Sequence, residues 1–152
     1  MQSVSEAKAV PQGYHSVTPY LIVDGVPRLI QFLKDTFDAD VGESVKGPEG
    51  RIAHAELTIG DSLIMMADAT PKYAPIASQL YVHVENVDMT FKRGLDTGAS
   101  SVQEPADQFY GDRTAGFKDP TGNYWWIAQR MEEVSAEELE RRLKARSLAI
   151  AP

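Results

Sequence analysis

Apolar and polar positions along this chain trace the same figure twice. After Val23-Asp24-Gly25-Val26, the residues Leu29, Ile30, Leu33 and Phe37 recur at helical spacing, and the run closes at Phe37-Asp38-Ala39. Pro27 suits a first helical position. About sixty residues on, Val84-Glu85-Asn86-Val87-Asp88 opens a second run with Phe91 and Leu95 on one face, closing at Thr97-Gly98-Ala99. Asp88 is the predicted N-cap of that helix and Gly98 its C′ residue.

Strands are predicted around both helices. In the first half they cover Ser16–Val23, broken by Pro19 and so an edge or a bulge, then Gly42–Lys46, Ile52–Ile59 and Leu63–Met66, the last two joined at the Gly60-Asp61 turn. In the second half they cover Leu80–Val84, Ser101–Glu104, Thr114–Lys118 and Tyr124–Ala128. Pro105–Arg113 reads as a longer loop carrying Phe109, Tyr110 and Arg113, and such loops are where binding tends to reside. A last helix is marked by a Ser135/Glu138 capping box, a narrow Leu139/Leu143 stripe, and i,i+4 pairs Glu137–Arg141, Glu138–Arg142 and Glu140–Lys144.

A repeated strand-helix-three-strand unit cannot bury its apolar face alone and is expected to pair with its copy. The fold class is therefore α+β, two tandem βαβββ modules forming an open eight-stranded cup plus a C-terminal helix. Residues 1–13 read as a flexible leader, 14–130 as a single domain of two modules (14–68 and 79–130), and 131–152 as the C-terminal helix and tail.

Composition narrows the function. The 152 residues carry a net charge of −7 with no basic cluster longer than Arg141-Arg142, so nucleic acid is not an expected partner. There is no cysteine, which removes disulfides, thiolate metal ligands and a cysteine nucleophile together. No apolar run approaches a signal peptide or a membrane span, and the expectation is a cytoplasmic protein with no membrane partner.

The doubled unit, ending in Asp119-Pro120-Thr121-Gly122-Asn123, resembles the glyoxalase/bleomycin-resistance (vicinal oxygen chelate) superfamily from Val17 to Gln129. Thr18-Pro19-Tyr20-Leu21, His54-Ala55-Glu56-Leu57, Tyr110-Gly111-Asp112-Arg113 and the Asp-Pro-x-Gly turn resemble its PhnB-like branch. The turn itself is explained locally, since Pro fixes φ, Gly permits positive φ, and Asp and Asn close turns. Metal-using members carry His, Gln or Glu on the first and last strand of each module. Counted onto this chain, those positions are Thr18, Ile64, Gln79 and Trp126, which cannot hold a divalent ion, so no metal and no cofactor are expected.

With Gln79 turned into the cup, strand alternation brings Tyr81 and His83 with it, along with Thr18, Tyr20 and Ile22 from the partner strand. His54, Glu56 and Thr58 face the cup while Ala55, Leu57 and Ile59 enter the core; Tyr124 and Trp126 join from the last strand, and Ile64 and Met66 from its counterpart. The candidate ligand-binding set is Tyr20, Gln79, Tyr81, Phe109, Tyr110, Arg113, Tyr124 and Trp126, and the candidate catalytic set is His54, Glu56 and His83. His54 and Glu56 are either a general base with its orienting partner or a hydrogen-bonded pair on a solvated face. Arg113 either grips an anionic ligand group or pairs with Asp112 or Asp107 to stiffen its loop.

Three functions follow. One is a metal-free cup binding an aromatic or amphipathic small molecule, as in bleomycin resistance. Another is a metal-free isomerase or lyase using His54, Glu56 and His83 for proton transfer. The third is a structural or regulatory module keeping the fold. A homodimer is expected, because open sheet edges need cover and the resembled family commonly pairs.

Overall fold

The repeated pattern folds into two sheets of one design, seen in a computed structural model that describes residues 6–150. The chain divides into two compact units, the first ending at Ala77 and the second beginning at Ser78. The outermost residues of the predicted leader and tail, 1–5 and 151–152, lie outside the described residues.

The first unit holds β1 (Tyr20–Val23), α1 (Val26–Phe37), β2 (Asp40–Lys46), β3 (Ile52–Ile59) and β4 (Ser62–Asp68), with sheet order β1-β4-β3-β2. The second holds β5 (Gln79–His83), α2 (Val87–Asp96), β6 (Ser100–Asp107), β7 (Asp112–Lys118) and β8 (Tyr124–Arg130), in order β5-β8-β7-β6, and then α3 (Ala136–Ile150). In each sheet the first strand runs parallel to the last and the other pairs are antiparallel. The architecture is α+β, two βαβββ modules with open sheets and a C-terminal helix, as the pattern predicts.

Each sheet turns one face to its own helix. In the first unit Leu21, Val23, Ala55, Leu57, Ile64 and Met66 are buried with Val26, Leu29, Phe32 and Leu33 of α1. In the second, Ala115, Phe117, Trp125 and Ile127 are buried with Val87 and Phe91 of α2. Gly94 on α2 permits the close approach: a Cβ there would stand 2.0 Å from a Phe117 ring carbon. Ile64 and Met66 are thus core residues, not cup-lining ones. Met65 pairs with Tyr20 and Glu56, and Leu63 with Thr58, so those two occupy the open face instead.

Three further expectations are corrected. The predicted loop from Pro105 shrinks, because β6 continues to Asp107; Pro105 sits on an edge strand where a register shift between Gln103 and Ala106 absorbs its missing N–H. Asn86, not Asp88, caps α2, its Oδ1 accepting from Met89 N at 3.0 Å. In α3, Glu138–Arg142 (3.0 Å) and Glu140–Lys144 (3.7 Å) form as expected, but Arg141 pairs with Glu138 at i,i+3. No helix among the described residues is long and apolar enough to cross a membrane.

The last strand of each module is fastened to the start of its own helix. Gly25 precedes α1 at φ 106° and has no side chain with which to cap it. Asp68, at the end of β4, serves instead: Oδ1 accepts from Gly25 N (3.1 Å) and Val26 N (2.8 Å), and Oδ2 from Ile52 N (2.8 Å). At the matching station of β8, Gln129 Oε1 accepts from Val87 N at 3.1 Å. The carboxylate satisfies otherwise orphaned donors at the positive end of the helix, whereas the amide holds one donor without charge. Asp68→Ala is expected to cost about 2 kcal/mol and Gln129→Ala about 1 kcal/mol, read as shifts of the urea midpoint. Equal losses, or none, would refute this account.

Candidate functional site

On the open face of the second sheet, Gln79, Tyr81 and His83 of β5 stand beside Tyr124 and Trp126 of β8, with Gln79 opposite Tyr124 and Tyr81 opposite Trp126. Trp126 is held at two points. Its Nε1 donates to Gln79 Oε1 at 2.9 Å, and its ring lies against Gly116 of β7, where a Cβ would come within 2.5 Å of the indole carbons. The absent side chain lets the ring lie close over the strand. Lys118 Nζ is 5.6 Å from the Tyr124 ring centroid, and Tyr81 and His83 meet edge-on at 5.4 Å.

Tyr81 is also constrained at its hydroxyl. It donates to Asp112 Oδ2 at 3.4 Å, and Tyr110 lies within hydrogen-bonding reach. Partial burial, Tyr110 and the Asp112 charge together push its phenol well above the ordinary range. Asp112 is buried and is itself paired with Arg130.

The Gln108–Gly111 turn that carries Phe109 and Tyr110 is clamped from outside the sheet. Phe109 and Tyr110 pack edge-on at 5.2 Å, and the Arg146 guanidinium of α3 sits 4.5 Å from the Phe109 ring centroid. Arg142 of α3 donates Nη1 to Phe109 O (2.9 Å) and to Glu132 Oε1 (2.6 Å). Gly111 O accepts from Met131 N (2.9 Å) and Glu132 N (3.2 Å). Gly111 has φ +101°, and a Cβ there would stand 2.5 Å from Glu132 O, so no larger residue fits. A groove of about 280 Å³ lies here, lined by Asp107, Gln108, Gly111, Asp112, Met131 and Glu132. Its acids are already paired with Arg113, Arg130 and Arg142.

Arg113 lies on the other face. It is opposite Gln129 in the sheet and donates Nε and Nη2 to both oxygens of Asp88 on α2 (3.0 and 2.9 Å), and Nη1 to Asp107 (3.1 Å). These bonds occupy the guanidinium and tie β7 to α2, and they hold the Asp88 carboxyl below its usual range. Arg113 therefore does not join Tyr81 and Trp126.

In the first unit, His54, Glu56 and Thr58 share the open face with Tyr20, Ile22, Leu63 and Met65. His54 Nε2 and Glu56 Oε1 are 3.0 Å apart. Tyr14, in the predicted module's first residue position, brings its hydroxyl within reach of the same carboxylate. Tyr14 and then His54 hold Glu56 below the usual carboxylate range, while Glu56 pushes the Tyr14 phenol up to about 12. His83 belongs to the second unit, beside Tyr81 on β5.

The model of the Glyoxalase/Bleomycin resistance protein/Dioxygenase superfamily matches residues 13–127 of this chain. The chain belongs to that superfamily. An uncharacterised protein of Mycobacterium bovis is 32% identical over 136 residues, 82% of this chain and 90% of the relative. Among solved structures, a PhnB protein from Bacillus cereus superposes with a TM-score of 0.62 at 15% identity, covering 76% of this chain and 99% of its own. TnmS3, an antibiotic binding protein from Streptomyces sp. CB03234, gives 0.58 at 22% identity over 76% and 97%. At these identities the superpositions establish the fold.

The superfamily match ends at Ile127, and beyond it Arg142 and Arg146 of α3 hold Phe109. Arg142→Ala is expected to accelerate hydrogen exchange roughly tenfold at the Gln108, Gly111 and Met131 amides while β3 keeps its protection. Unchanged exchange in that turn would show that α3 is no clamp.

Proposed function

We propose that this protein binds a small aromatic-bearing molecule on the open face of its second module, with Trp126 as the stacking surface. The observation that carries the reading is the indole held between Gly116 and Gln79, with one ring face committed to the strand. A ring fixed in place loses little rotamer freedom on binding and offers flat π surface. Tyr81, Tyr124, Tyr110, Phe109 and His83 supply further aromatic edges, and the antibiotic binding of the structurally similar TnmS3 supports the same class of ligand. Tyr20 extends an equivalent aromatic position on the first module, where it is 54% exposed.

The reading is metal-free. Register corrects the fourth superfamily ligand position from Ile64 to Met65, and the set Thr18, Met65, Gln79 and Trp126 remains without imidazole, carboxylate or thiolate. The Gln79 carbonyl oxygen already accepts from Trp126. The other functional reading, proton transfer, is favoured by the His54–Glu56 contact at 3.0 Å. In that reading His54 is the base and Glu56, held ionised below its usual range, is its orienting partner.

A thermal-shift screen with planar aromatic antibiotics tests the binding. A ligand at a hundredfold its dissociation constant stabilises the protein by roughly 2.7 kcal/mol. Trp126→Ala should abolish the shift and Gly116→Ala, which displaces the indole, should weaken it. Hits that persist unchanged in both variants would place the ligand elsewhere.

The homodimer rests on the edges. Strands β1, β2, β5 and β6 each leave one side unpaired within their own sheet, and β2 and β6 expose Val41, Val45 and Val102. Light scattering at micromolar concentration should report twice the 16.7 kDa chain mass. A single-chain mass would exclude the dimer.

A further inference from the structure

Five carboxylates among the described residues are not exposed: Glu56, Asp68, Asp112, Asp119 and Glu138. Four are engaged in holding the fold. Asp68 binds three backbone N–H groups, and Asp112 is paired with Arg130. Asp119 accepts from Thr121 N and from Trp125 Nε1, both at 2.6 Å. Glu138 pairs with Arg141 and Arg142 in the first turns of α3. Glu56 is the exception: its partners are the side chains of His54 and Tyr14, and neither a backbone donor nor a lysine or arginine is among them.

A half-buried carboxylate is costly unless it is compensated, and here the compensation comes from one imidazole and one phenol. Glu56 also sits where an incoming group can reach it. Its side chain is 21% exposed, and across the sheet it is opposite Met65, which is opposite Tyr20. On its other side the β2 register slips between Val41 and Ser44, a bulge containing Gly42 and Glu43; a Cβ on Gly42 would lie 3.4 Å from the Glu56 backbone oxygen. Glu43 adds a second negative charge near Tyr14. The surroundings are therefore anionic at the centre and apolar or aromatic around it, with Tyr14 and His54 fixing the carboxylate's orientation.

We propose that Glu56, oriented by His54 and Tyr14, is a recognition site for the protonated amine of a small organic cation. The carboxylate keeps acceptor capacity beyond its two side-chain partners, enough for an ammonium N–H. An ammonium bearing an apolar or aromatic substituent fits the rest of the face, where Tyr20, Ile22 and Met65 are carried. A divalent metal fits poorly, since among the described residues no three His, Cys, Asp or Glu side chains converge. The depressed titration of Glu56 agrees with a permanent anion that binds charge, not one that exchanges protons.

The test uses benzylammonium and its neutral counterpart benzyl alcohol, followed by ¹H–¹⁵N correlation spectra of the full-length chain. It is independent of the Trp126 reading, because the signals followed are those of residues 14 and 54–58. Benzylammonium should give saturable shifts there with an affinity roughly tenfold or more above that of benzyl alcohol, declining with salt. Glu56→Gln should erase the preference, and Tyr14→Phe, which keeps the charge, should retain it. Equal responses to the two probes, no saturable response to either, or a preference that survives Glu56→Gln would overturn the site. Should Glu56→Gln fail to fold, a preference in the wild-type chain that is indifferent to salt would overturn it as well.

Discussion

The fastening of each module's last strand to the start of its own helix sets everything else in the two units. Asp68 and Gln129 stand at the ends of β4 and β8 and hold the first N–H groups of α1 and α2. Those strands lie between the parallel edge strand and the antiparallel hairpin partner, so fixing them fixes the register of the sheet on both sides. Once the register is fixed, alternation decides which residues the helix covers and which the open face presents. Tyr81 then falls opposite Trp126 and Glu56 opposite Met65, with no freedom to exchange faces. Using a carboxylate in one module and an amide in the other makes the first fastening the stronger, since it satisfies three donors with a full charge.

Strand β7 shows how a single stretch serves both faces. Phe117 points to the helix and fills the space left by Gly94, while Gly116 points to the open side and leaves space for Trp126. Large and small residues are thus exchanged across adjacent positions, which gives close packing of α2 on one side and a flattened indole on the other. Gly116 consequently sets the position of the indole although it has no side chain to offer.

Much of this was legible in the sequence because it depends on period alone. The two helices, the four-strand repeat, the inward turn of Ala55, Leu57 and Ile59, and the burial of Trp125 all follow from spacing. The failures have specific causes. Four residues on from Gly122 lies Trp126 and four on from Gly60 lies Ile64, but the first hairpin closes with Ile59 opposite Ser62 and the second spans Asp119–Asn123, so the count slips by one and every side chain changes face. Asp88 is a good capping residue by type, yet Asn86 is the one whose backbone is extended at the helix start, and Asp88 is committed to Arg113. Arg113 lies in the stretch predicted as a loop, and only the extension of β7 to Asp112 gives it a face. Tyr14 and Arg142 act through partners far away in sequence, Glu56 and Phe109, and no local pattern announces such contacts.

The distribution of charge shapes the open face of the first module as much as residue identity does. A histidine beside a carboxylate invites a proton-transfer reading, with the imidazole as base and the carboxylate orienting it. On this face Glu56 is moved below its usual range and Tyr14 is moved up to about 12, both away from neutrality, because each stabilises the other's resting form. A phenol that stays protonated donates steadily, and a carboxylate that stays ionised attracts steadily. Across the described residues the remaining unexposed acids are occupied by backbone donors, guanidinium groups or an indole N–H, so they add little free field to either open face. What remains is one oriented negative charge on an apolar surface in the first module and one oriented indole in the second. Each is fixed in place, the carboxylate by two side-chain donors and the indole by Gln79 and Gly116.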